Sequence, residues 1–211
     1  MLTAIIDYSS GNLHSAQKAF ENIAAAKNLG SVVVTKDPTI ISSADRLVLP
    51  GDGAFPACKS ELMSSKVYEA LIYAAVKKAR PFLGICVGMQ LMAEKSYEYQ
   101  ETDGLGWIEG EVCKINPKDK NLKIPHMGWN TLKIENDHPI FTNIQDGDHL
   151  YFVHSFQMVL KNQHQRLAYT EYGTEVTAVV GSENFIGFQF HPEKSSTVGL
   201  KMIENFLSWK P

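Results

Sequence analysis

Glycines two positions either side of a cysteine, as in Gly84-Ile85-Cys86-Val87-Gly88, form the pattern of a sharp strand-to-helix turn that pushes a nucleophile into the open. At such a turn the free N–H groups and dipole of the new helix favour a thiolate over a thiol, and the thiolate is the form that attacks carbon. The N–H of Val87 would point at an oxyanion formed on a carbonyl that Cys86 attacks. A thiolate nucleophile also needs a base that later protonates the leaving group, and a carboxylate that holds this base in one tautomer. Gly187-Phe188-Gln189-Phe190-His191-Pro192-Glu193 supplies both: in an extended segment His191 and Glu193 fall on one face, and Pro192 stiffens the link. Each residue has a plainer reading as well. Cys86 reads as a small buried side chain, His191 as a surface histidine and Glu193 as a cap for the following helix. His14, His126, His138, His149, His154 and His164 show no H-x-x-x-H spacing, so the sequence gives metal catalysis no support.

Both segments must be delivered by a framework. Residues 2–7 read as a buried strand that ends at the turn-rich Tyr8-Ser9-Ser10-Gly11-Asn12. Leu13, Ala16, Phe20, Ile23 and Ala24 follow at helical spacing, with Ser10 or Asn12 as the cap. Strands are predicted over 31–35 and over 46–49, the second ended by Pro50-Gly51-Asp52-Gly53, and a helix over 67–79 closed before Pro81. The apolar 82–85 runs into Cys86, and Met89, Leu91, Met92 and Ala93 begin a helix. This alternation predicts a parallel sheet. Short β-branched or aromatic stretches at 110–115, 131–134, 150–154, 166–170, 176–180 and 185–190 predict a mostly antiparallel sheet packed beside it. Leu200, Ile203, Phe206 and Leu207 predict a last helix, capped by Ser195 or Ser196. With no repeat or linker, a single domain over 1–211 is expected.

Composition narrows the function classes. Twenty Lys and Arg against 23 Asp and Glu leave a net charge of −3, without the basic footprint that phosphate-backbone binding needs. The 44% hydrophobic and 20% charged content excludes disorder. No apolar run approaches the ~18 residues of a membrane span, and no leader is visible, so a cytoplasmic location is expected. Three cysteines, Cys58, Cys86 and Cys113, without C-x-x-C spacing point to reduced thiols.

With an elbow cysteine far upstream of His-Pro-Glu, the chain resembles the class I glutamine amidotransferases, whose triad is Cys, His and Glu in that order. Asp7-Tyr8-x-x-Gly11-Asn12-Leu13-x-Ser15, Pro125-His126-Met127-Gly128-Trp129-Asn130, Tyr151-Phe152-Val153-His154-Ser155 and His191-Pro192-Glu193-Lys194-Ser195 narrow the likeness. They resemble the glutaminase subunits of imidazole glycerol phosphate synthases, and they span nearly the whole chain. The resemblance implies a flavodoxin-like α/β fold, with a central mostly parallel sheet flanked by helices and an additional antiparallel sheet. It implies no cofactor and no metal. It implies that Cys86 attacks the carboxamide of L-glutamine, His191 protonates departing ammonia and Glu193 orients His191. The glutamyl thioester is then hydrolysed, and ammonia passes to a (β/α)8-barrel cyclase subunit. There it reacts with a phosphoribulosyl-formimino carboxamide ribotide to give imidazole glycerol phosphate and an aminoimidazole carboxamide ribotide.

Position by position, the resemblance assigns Gln90, Glu98 and Ser155 to the glutamine site and Asn12, Trp129 and Lys194 to the partner-facing surface. It assigns Gly53 to an oxyanion strand whose peptide must turn to present an N–H, beside the N–H of Val87. Glycine suits that turn because a positive φ carries no Cβ penalty. Trp129 has a plainer reading as a core aromatic, and Lys194 as a solvated charge. Two departures stand out. Asp52 replaces a more usual valine, and its side chain is expected to point to solvent. Ser9-Ser10 replaces a pair that more often contains glycine. Three other functions compete: ammonia delivery to a different synthase, a stand-alone cysteine hydrolase, and a scaffolding subunit without activity. Pro125-His126-Met127-Gly128-Trp129-Asn130 argues against a pyridoxal phosphate synthase as the first, the partner-surface residues against the second and the intact triad against the third, while binding of the barrel cyclase separates a duplicated copy that serves another acceptor.

Overall fold

The computed structural model describes residues 1–9 and 13–211. Its first half alternates strands and helices: β1 (Leu2–Ile6), α1 (Leu13–Lys27), β2 (Ser31–Thr35), α2 (Pro38–Ser43), β3 (Arg46–Gly51), α3 (Phe55–Ser64), α4 (Val67–Ile72), β4 (Phe82–Cys86) and α5 (Val87–Gln90). The second half is mostly strands: β5 (Lys95–Ser96), β6 (Thr102–Asp103), β7 (Gly110–Lys114), β8 (His126–Thr131), β9 (Lys133–Ile134), β10 (His149–His154), β11 (Phe156–Leu160), β12 (Arg166–Glu171), β13 (Glu175–Ser182) and β14 (Phe185–Phe188). Helix α6 (Ser196–Ser208) follows.

An eight-stranded sheet in the order β2-β1-β3-β4-β14-β13-β12-β9 forms the centre, parallel from β2 to β14 and antiparallel beyond. Its parallel strands are nearly continuous apolar runs, as burial on both faces requires; every residue of β3 and β4 is buried. The chain leaves β1 in one direction and returns through β3 in the other, so right-handed crossovers put α1 and α2 on opposite faces. Helix α6 packs against α1. A crevice opens at the carboxyl ends of the strands where the direction reverses, and there β3, β4 and β14 deliver their terminal residues. Two smaller sheets, β10-β8 and β11-β7-β5-β6, wall off one side of it.

Several expectations need correction. The antiparallel strands do not all form a layer beside the parallel sheet, since β13, β12 and β9 extend the same sheet edge to edge. The helix expected over 67–79 is α-helical only to Ile72, continues as a π turn over Tyr73–Lys77, and is over by Ala79, whose φ is +48°. The helix begun after Cys86 stops at Gln90. The carbonyls of Leu91, Met92 and Ala93 instead accept from Leu105, Trp107 and Gly106, which draws the chain into a loop. Helices α2 and α3 and strands β5, β6 and β11 have no counterpart in the sequence reading, and β8 shares only Thr131 with the strand expected over 131–134. Ser195 does occupy the N-cap position of α6, but its hydroxyl makes no capping bond there. The proposed capping of α1 by Ser10 or Asn12 lies outside the described residues. No helix among the described residues is long and apolar enough to cross a membrane.

Candidate active site

Cys86 ends β4 with φ +55° and ψ −114°, a conformation that a residue with a Cβ enters only under strain. The glycines around it are there for contact. A Cβ on Gly88 would fall inside the Leu49 carbonyl oxygen, and one on Gly84 would meet the carbonyl of Gly88. Only bare backbone lets α5 start this close to β3, and that closeness holds the elbow in its strained form. Register pairs Gly51 with Cys86, so the loop after β3 lies beside the thiol. Gly53 in that loop has φ +112°, and open space surrounds the place its side chain would take.

His191 and Glu193 meet as expected, but for a different reason. Residues Pro192–Lys194 form a 3-10 turn rather than an extended strand, and this turn brings Glu193 Oε1 within 2.8 Å of His191 Nδ1. Both side chains are nearly sealed from water, 8% and 3% exposed. Burial alone would lower the imidazole pKa. The Cys86 thiol and the Glu193 carboxylate outweigh it and raise His191 to about 9. The imidazolium is therefore favoured beside the sulfur at neutral pH.

Cys86 opens onto a cleft of about 230 Å³ lined also by Asp52, Gly53, Val87, Gln90, Glu98 and Ser155 together with Pro125, Val153, His154 and Phe156, whereas His191 and Glu193 border a separate small hollow with Pro50, Gly51 and Ile85. Thus all the residues assigned to glutamine binding share one cavity with the elbow. Glu98 is buried and accepts the Phe55 N–H at 2.8 Å, so its carboxylate also fixes the start of α3, just after the glycine loop. Asp52 is exposed and also lines the cleft. Trp129 is 53% exposed, which removes the core reading, and Lys194 is exposed as well. Asn12 lies outside the described residues.

The sequence reading missed a buried polar chain behind the cleft. His154 Nδ1 lies 2.8 Å from the Phe156 carbonyl, which can only accept, so this nitrogen carries the proton. His154 Nε2 must then accept from His126 Nδ1 at 2.9 Å, and His126 Nε2 from the Asn130 amide at 3.1 Å. Burial drives His126 down to about 4. Burial also drives His154 to about 3, against an upward pull from its bond to Phe156. Both imidazoles are neutral, and His126 is stacked between Phe152 and Tyr172 at 4.8 and 4.1 Å. From the other side, Gln90 Nε2 donates to the same Phe156 carbonyl at 3.1 Å and to Gln189 Oε1 at 3.0 Å. One signal was available in the sequence: Gln189 precedes His191 by two residues, the interval that had singled out Glu193.

Residues 4–209 match the family described as glutamine amidotransferase class-I. The imidazole glycerol phosphate synthase subunit HisH of Ruegeria pomeroyi is 59% identical over 212 residues, covering 100% of both chains. The subunit of the same name from Cereibacter sphaeroides is 53% identical over the same span. Among solved structures, a glutamine amidotransferase of Thermotoga maritima superposes with a TM-score of 0.60 at 20% identity, covering 92% of this chain and 76% of that one. The glutaminase domain of Trypanosoma brucei CTPS, solved with bound acivicin, gives 0.68 at 16% identity over 99% and 91%. At these identities the two structures speak for the fold alone.

Proposed function

Because this chain belongs to the class I glutamine amidotransferase family, we propose that it is the glutaminase subunit of an imidazole glycerol phosphate synthase, hydrolysing L-glutamine and supplying ammonia to a barrel cyclase subunit. The observation that carries the chemistry is the strained Cys86 elbow beside the buried His191–Glu193 pair, opening into a cleft. The Cys86 sulfur attacks the side-chain carbonyl carbon of glutamine, and the oxygen takes on the charge. The N–H of Val87 and a turned peptide before Gly53 receive that oxyanion. As the C–N bond breaks, the His191 imidazolium gives its proton to the leaving nitrogen, and ammonia departs from a glutamyl thioester. Neutral His191 then takes a proton from water, the resulting hydroxide cleaves the thioester, and glutamate leaves. Glu193 holds Nδ1–H throughout, which keeps Nε2 turned toward the reacting atoms.

Full-length identity above 50% with subunits that carry the synthase name supports the cyclase as partner. Exposed Trp129 and Met127 on β8, with Lys194 nearby in the turn after His191, supply a surface with an aromatic anchor. The proposal includes gating: the peptide within Pro50 to Gly53 rests with the wrong group facing Cys86 and turns when the partner's site fills, a shift between two backbone states that the positive φ of Gly53 supports. The test is glutamate release from glutamine by the chain alone, with a barrel cyclase, and with the cyclase plus its nucleotide substrate. Weak activity alone that rises strongly with both supports the reading. Activity indifferent to the cyclase would keep the hydrolysis and discard the partner.

A further inference from the structure

We propose that Gln189 is a further catalytic residue, an N–H donor locked against the Cys86 sulfur that favours its thiolate. Gln189 follows β14, is fully buried, and anchors its own backbone N–H on the Ala178 carbonyl at 2.9 Å. Its side-chain nitrogen lies 3.8 Å from Cys86 Sγ, within reach of a large sulfur acceptor.

Three forced steps fix the polarity of that contact. The Phe156 carbonyl can only accept, so the Gln90 amide must turn its nitrogen toward it. The second hydrogen of the same nitrogen goes to Gln189, which must answer with its oxygen. The nitrogen of Gln189 is thereby left facing Cys86. Rotating the Gln189 amide by half a turn would set two nitrogens against each other and an oxygen against the sulfur. Rotating both amides would press an oxygen onto the Phe156 carbonyl. His154, donating to that carbonyl from the other side, holds the anchor in place.

Such a donor acts on one protonation state more than the other. A thiol is a weak acceptor, whereas a thiolate accepts strongly, so the bond tightens as the Cys86 proton passes to His191. It resists the reverse transfer by the same amount.

The inference rests on the reading of Cys86 as nucleophile, and its test does not require turnover. The rate of Cys86 alkylation by iodoacetamide, followed across pH by mass spectrometry of the full chain, reads the thiolate fraction. Gln189→Leu is expected to raise the midpoint by about one pH unit, roughly a tenfold loss of thiolate below it. Gln189→Glu, which sets a carboxylate oxygen against the sulfur, is expected to raise it further. Midpoints that stay put while thermal stability falls would mean a structural amide and overturn the proposal. Should these variants fail to fold, the unsubstituted chain carries the test. The side-chain amide protons of Gln189 are expected to shift in nuclear magnetic resonance spectra with the Cys86 midpoint, and an amide indifferent to that titration overturns the proposal. Absence of glutamine hydrolysis would defeat the function proposed above while leaving the alkylation midpoints to decide this one.

Discussion

Tyr151 grips His191 from two directions, directly through its backbone carbonyl and by way of the Ser195 hydroxyl through its backbone N–H. The His191 N–H donates to the Tyr151 carbonyl at 3.0 Å, and the Tyr151 N–H donates to Ser195 Oγ at 2.9 Å. The Ser195 hydroxyl in turn donates to the His191 carbonyl at 2.6 Å. The Tyr151 ring meets exposed Trp129 edge to face, with centroids 6.0 Å apart. A surface aromatic and the buried imidazole therefore hang on one residue of β10.

Ser195→Ala removes the bridge, leaves the part-buried Tyr151 N–H without its partner and reduces the His191 carbonyl to its bond from the Lys194 N–H at 3.1 Å. It is expected to cost about 2 kcal/mol of stability and to lower the glutaminase kcat about tenfold as the imidazole loosens. Urea unfolding and steady-state kinetics read the two effects. A loss of stability with kcat unchanged would mean that the bridge does not position His191.

Cys86→Ala is expected to abolish glutamine hydrolysis while the complex still makes its products from added ammonium salts. Assays with each nitrogen source separate the two reactions. Loss of both would contradict the division of labour between the subunits.

Trp129→Ala should leave thermal unfolding of the isolated chain nearly unchanged, because the ring is half exposed. The same change is expected to weaken cyclase binding by about 2 kcal/mol, roughly thirtyfold, the range of a central aromatic anchor. Calorimetric titration with the cyclase reads the affinity. An unchanged affinity would move the interface elsewhere.

Stability should depend on pH with opposite signs on the two sides of neutrality. His126 and His154 are held neutral, so between about 4 and 6.5 the unfolded chain binds more protons than the folded one. Their contribution is complete above 6.5 and is lost as the pH falls. His191, raised to about 9, stabilises fully below 6.5, and its contribution is lost as the pH rises through 9. Urea midpoints across this range should peak near neutrality. The alkaline loss should shrink in Cys86→Ser, because the thiol supplies part of the His191 shift. An alkaline limb identical in both proteins would disprove the coupling.

Local chemistry was the part of this molecule that sequence could express. The elbow, the strands leading to it and the His191–Glu193 pair lie within short windows whose spacing carries meaning. The fold class likewise follows from alternating elements. What stayed hidden depends on pairing across long intervals. Gln90 and Gln189 stand 99 residues apart, and His126 reaches His154 only because β8 and β10 run antiparallel in that register. Helix α3 escaped notice because its start relies on the remote carboxylate of Glu98 rather than a local cap. Even the correct meeting of His191 with Glu193 was reached through an extended geometry that the chain replaces with a tight turn.

The contact of Gly88 with the Leu49 carbonyl works like a weld. A Cβ on Gly51 would likewise strike Gly88 and Val87, so the end of β3 and the start of α5 move as one piece. Beyond Gly51 the weld stops: nothing lies within 4 Å of the place a Gly53 side chain would take, and the carbonyl of the Asp52–Gly53 peptide is held by the Cys58 thiol at 3.5 Å. The elbow is thus mounted on a rigid block, and Gly88→Ala would break that block without touching the loop beyond it.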